Sequence, residues 1–70
     1  MTILDQIKKM EKVDEVTKWG ERHEFYFNSK EDEYYDVVYY VKDDELIEIR
    51  VLNIYEVDEI YNALGYIRPF

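Results

Sequence analysis

The chain contains no cysteine, so no disulfide, thiolate nucleophile or zinc ribbon can support its fold or a reaction. Two glycines, Gly20 and Gly65, stand too far apart to form a phosphate-cradling loop. Small-side-chain hydroxyls are confined to Thr2, Thr17 and Ser29, with no nucleophile elbow around them. His23 is the sole histidine, and a lone imidazole makes no metal set. Apolar runs such as residues 37–41 fall far short of the roughly 20 residues that a membrane-spanning helix needs. The first residues lack the basic, apolar, small-residue order of a secretion signal. The expectation is an intracellular, cytoplasmic protein that is not an enzyme, carries no cofactor and no metal, and does not engage a membrane.

Basic residues are also scarce, 9 against 17 acids. Residues 1–20 are neutral, because Asp5, Glu11, Asp14 and Glu15 offset Lys8, Lys9, Lys12 and Lys18. The net charge of −8 therefore lies in residues 21–70. Such a surface repels phosphate backbones, which argues against direct nucleic-acid binding. What is abundant is aromatic: 8 tyrosines, 3 phenylalanines and 1 tryptophan, too many for a disordered chain. A length of 70 residues suits one domain, residues 1–70, near the lower limit for a core without covalent staples.

Ile3, Leu4, Ile7 and Met10 recur at helical spacing and predict a helix over residues 2–12, with Thr2 and Asp5 as a capping box. Residues 13–19 read either as an extension of that helix to a Gly20 C-cap or as a loop, the loop being favoured because Val13, Val16 and Thr17 are poor helix formers. Alternation then predicts strands over residues 22–28, 34–42 and 46–53. Val57, Ile60, Tyr61 and Leu64 mark a closing helix that ends at Gly65, and the tail 66–70 folds back. The expected fold is α+β, in the order αβββα: a three-stranded antiparallel meander with two short helices packed on one face.

Pairing Asn28 with Tyr34 and Lys42 with Leu46 fixes the faces. One face holds Phe25, Phe27, Tyr35, Val37, Tyr39, Val41, Ile47, Ile49 and Val51, for the helices to cover with Ile3, Leu4, Ile7, Met10, Val57, Ile60 and Leu64. The other holds Tyr26, Tyr34, Asp36, Val38, Tyr40, Glu48, Arg50 and Leu52, together with Glu24. Left open, that mixture of tyrosine and charge is a candidate protein-contact surface. The sheet reading places no pocket around Glu24, Asp36 and Glu48 to raise one pKa for acid–base work. His23 falls at the end of the core-facing row, as a structural histidine.

Two acidic turns, Glu31, Asp32, Glu33 and Asp43, Asp44, Glu45, sit at opposite ends of the second strand. At about 3.3 Å per residue they lie roughly 25–30 Å apart, and neither has the spacing of a calcium loop. They read as solvated acids available to a basic protein partner. In size and charge the chain resembles the small acidic antagonists of phages and archaeal viruses, including anti-CRISPR and anti-restriction proteins that mimic DNA. That resemblance carries no residues over. It implies an inhibitor or decoy that engages a basic, nucleic-acid-binding surface. The competing expectation is a homodimeric structural or adaptor protein that uses the tyrosine-rich face.

Overall fold

Thr2 opens helix α1, Ile3–Ile7, through the expected capping box: its hydroxyl accepts from Asp5 N, and Asp5 Oδ2 accepts from Thr2 N, each at 3.2 Å. This is seen in a computed structural model that describes residues 2–70. The helix is shorter than its periodicity predicts. Lys9 N and Met10 N bond three residues back, to Gln6 O and Ile7 O, tightening the last turn. From Glu11 the chain becomes strand β1, Glu11–Lys18, where the end of the helix and then a loop or a helix extension were expected. Val13, Val16 and Thr17 disfavour helix, and pairing with the next strand satisfies their backbone instead.

Strands β2, Glu21–Asn28, β3, Glu33–Tyr40, and β4, Leu46–Leu52, follow, and helix α2, Ile54–Leu64, closes the order. The fold is α+β, and its sheet is a four-stranded antiparallel meander, β1-β2-β3-β4, rather than a three-stranded one. Asn53 caps α2 in a second capping box, with Glu56, and Gly65 ends it in the left-handed conformation at φ 83°.

The two helices lie on opposite faces, not on one, and the β2–β3 register explains why. Asn28 pairs with Glu33, Phe27 with Tyr34 and Phe25 with Asp36, one residue away from the expected pairing. A one-residue slip exchanges the faces of a strand, so Phe25 and Phe27 part from Val37. One core then gathers Ile7 of α1 with Tyr26, Val37 and Tyr39, flanked by Leu4, Met10, Tyr35 and Ile49. The other gathers Val57 and Tyr61 of α2 with Phe25 and Leu52, flanked by Val13, Val16, Tyr34, Ile60 and Phe70. Of the expected helix stripe only Ile3 is exposed. β3 and β4 keep their predicted common faces but slide by two, so that Val37 meets Ile49. Val41 leaves the sheet for an exposed turn. The tail returns as expected through Phe70, whose ring stacks on Tyr34 at 5.6 Å, while Ile67 stays exposed.

Each core holds a buried phenol facing a carboxylate. Tyr26 donates to Glu24 Oε1 at 2.7 Å and Tyr61 to Asp14 Oδ2 at 2.5 Å. Burial first, and the adjacent carboxylate second, push both hydroxyls well above the ordinary tyrosine value. In the unfolded chain they ionise near pH 10, so their stabilisation is complete below that pH and is lost as pH rises beyond it. Urea midpoints are therefore expected to fall above about pH 10. Replacing both with phenylalanine should flatten that alkaline slope, and an unchanged slope would contradict the assignment.

Candidate functional site

The face expected to be open is largely closed. α2 and Phe70 cover the side that carries Tyr34, Asp36, Val38, Arg50 and Leu52, leaving Asp36, Val38 and Leu52 buried. Tyr26 is buried on the other side, under α1. Of the eight sheet residues singled out above, Tyr40 and Glu48 are exposed, and Tyr34 and Arg50 are half-buried.

Beneath α2 these strands build a polar line. His23 on β2 and Arg50 on β4 converge on Asp36 of β3, which is fully buried. His23 Nδ1 lies 3.1 Å from both carboxylate oxygens, and Arg50 Nη2 donates to Oδ2 at 2.7 Å. An ionised carboxylate only accepts, so Nδ1 carries the hydrogen that faces it. That is how a general base is oriented, and the orienting carboxylate was not foreseen from the sequence. However, Nε2 lies 3.7 Å from Glu21 Oε1 and the ring is buried, stacked at 6.2 Å from Phe25. The line is placed to hold three strands together.

The acidic turns stand at opposite ends of β3, as expected. Glu31 and Asp32 are exposed and Glu33 is half-buried. Asp43, Asp44 and Glu45 are all exposed, and Asp44 is tied to Arg22 Nη2 at 2.6 Å. Near the first turn, a cleft of about 380 Å³ opens between Gln6, Met10, Phe27, Ser29 and Lys30.

The second turn shares its end of the sheet with a feature that the sequence did not disclose. Trp19 and Gly20 form the two-residue β1–β2 connection, with φ of 54° and 76°. Positive φ at both positions suits the right-handed twist of a hairpin, and Asn-Gly is the usual solution. A tryptophan there is strained, and it is 71 % exposed. Lys18 Nζ sits 4.8 Å from the Trp19 ring centroid and 5.2 Å from that of Tyr66, and it donates to Leu64 O at the end of α2. Val41 N donates to Gly20 O at 3.0 Å, joining the two turns. Tyr40, which extends the row Lys18–Glu21–Tyr40, Val41 and Leu46 are exposed alongside.

Five exposed apolar side chains, Trp19, Tyr40, Val41, Leu46 and Tyr66, thus adjoin three carboxylates. Tyr40 and the acids of the second turn were legible in advance. Trp19 was hidden because residues 13–19 read as a loop. Only the Trp-Gly pair ahead of an alternating run hinted at a hairpin. No helix among the described residues is long and apolar enough to cross a membrane. Searches with protein-family models, against curated proteins and against solved structures find no match to this chain.

Two measurements separate the architectural line from the exposed end. Asp36→Ala strands a buried imidazole and part of a guanidinium, and urea unfolding is expected to show a loss of about 3–5 kcal/mol. Trp19→Asn relieves the left-handed strain and is expected to raise stability by up to about 1 kcal/mol. A clear loss on that substitution would instead make Trp19 a structural residue.

Proposed function

We propose that the chain is a small acidic protein-binding module, and that its contact surface is the end of the sheet carrying Trp19, Tyr40, Val41, Leu46 and Tyr66 beside Asp43, Asp44 and Glu45. The observation that carries this reading is the strained, exposed tryptophan. A hairpin tip that asparagine would serve better presents instead the residue type most enriched at the energetic centres of interfaces. The partner is a protein with a basic surface, since residues 21–70 hold 13 acids against 5 bases and complementary charge speeds association. An inhibitor or decoy that occupies a nucleic-acid-binding groove fits this chemistry: carboxylates stand in for phosphates, and aromatic rings for stacked bases.

The exposed end replaces the broad sheet face as the contact surface. Asp36, Val38 and Leu52 lie beneath α2 and serve the core. The acids Glu31, Asp32 and Glu33 lie at the other end of β3 and contribute long-range attraction.

Capture experiments with the immobilised chain test the reading when wild type, Trp19→Ala and Glu45→Gln are compared across a salt series. Specific partners are expected to be basic, to elute as salt rises, and to lose affinity by about thirtyfold with Trp19→Ala. Adding the chain should also release nucleic acid from such a partner. Partners that bind Trp19→Ala as tightly as wild type, or that ignore salt, would sink the proposal.

A further inference from the structure

The meander leaves two strands with one unpaired edge each, β1 and β4, and the chain treats them differently. β1 has the devices that keep an edge single: a bulge between Lys12 and Asp14 and charged side chains at Glu11, Lys12, Asp14, Glu15 and Lys18. β4 reads Leu-Ile-Glu-Ile-Arg-Val-Leu, five aliphatic residues of seven, with no lysine, proline or glycine. Its one irregularity lies toward β3, between Val38 and Tyr39. Val51 on this strand is 55 % exposed. Among the described residues, no strand pairs with its outer side.

We infer that β4 pairs with β4 of a second copy of this chain, antiparallel about a two-fold axis through Ile49, to form a continuous eight-stranded sheet. The sequence of the strand selects both the occupant and the register. Centred on Ile49, the pairing sets Glu48 against the partner's Arg50 and Arg50 against the partner's Glu48. It sets Ile47 against the partner's Val51, and Ile49 against the partner's Ile49. Opposite charges meet on the α2 side and aliphatic side chains on the α1 side, each a favourable cross-strand pair. Moving the axis to Glu48 or to Arg50 would place like charges directly opposite. Moving it half a step would set Ile49 against the partner's Glu48 or, in the other direction, against the partner's Arg50. One register satisfies both faces, and it is isologous, as a closed dimer requires.

Glu48 and Arg50 both keep exposed surface for this pairing. Within one chain Arg50 gives Nη2 to Asp36, and its buried Nε lies 3.1 Å from Glu48 Oε1 without a hydrogen bond, so the contact between the two side chains inside the chain is loose. The Arg50 side chain remains 39 % exposed and that of Glu48 49 %, which leaves both open to a partner strand. This pairing is separate from the Trp19 end. Because β4 of the second copy runs the opposite way, the two tryptophan-bearing ends point away from each other and both stay free.

Sedimentation equilibrium across a concentration series tests the dimer, and the absence of native cysteine permits a register test. Wild type is expected to reach twice the chain mass. Val51→Lys, at an exposed position that the fold tolerates, is expected to raise the dissociation constant about tenfold or more while circular dichroism stays unchanged. Ile49→Cys, which meets itself across the axis, is expected to oxidise to a covalent dimer, since directly opposed Cα atoms lie within disulfide reach. A wild-type chain that stays monomeric at every concentration would overturn the inference, as would a dimer indifferent to Val51→Lys. A dimer that Ile49→Cys fails to cross-link would overturn the register.

Discussion

The architecture depends on the carboxylate of Asp36, fully buried between three strands. It accepts from His23 on β2 and Arg50 on β4, and the three residues share one face only in the observed β2–β3 register. In the slipped pairing His23 would stand opposite Tyr39, on the side away from Asp36, and the carboxylate would be buried beside an imidazole it could not reach. A buried charge deprived of its partner costs several kcal/mol. Hydrophobic alternation alone leaves the choice open, because β2 is buried at four consecutive positions, His23 to Tyr26, and either face would accept its aromatic rings. The polar line therefore acts as a register pin, and from that register follow two apolar faces, two cores and one helix for each.

This explains how much could be read from the residues in advance. The existence of β2, β3, β4 and α2 was legible, because alternation, acidic turns and the Gly65 terminator agree with one another. The capping box at Thr2 was legible for the same reason. β1 was not. Its bulge inserts Val13 between Lys12 and Asp14, so Val13 and Val16 both reach the α2-side core at a spacing of three. A strand pattern with an extra residue no longer shows a period of two. The helix arrangement was missed through the register, and the register through the connection at residues 29–32. There Asp32 takes φ 52°, and the turn closes one residue tighter than expected.

The candidate sites divide along the same line. Acidic turns are visible in composition wherever they fall, and Asp43, Asp44 and Glu45 lie where they were expected. Tyrosines are not so easily assigned, because a sheet buried on both sides uses them as core. Tyr26 points its hydroxyl at Glu24 and Tyr61 at Asp14, and neither is offered to a partner. The residue that stands out in three dimensions is Trp19, through its backbone conformation rather than its neighbours in the sequence.

The unbroken meander order also bears on how the chain acquires its structure. Each strand pairs with the one before it, across connections of two, four and five residues. Such local closure carries a small entropic penalty and favours rapid folding. The β1–β2 hairpin can form as soon as Asn28 has been synthesised, β3 and β4 can then add in turn, and α2 arrives last to shut the Asp36 line away from water. Until then His23, Asp36 and Arg50 remain hydrated and the strands are free to slide, so the pin engages only as α2 closes and a mismatched carboxylate becomes costly.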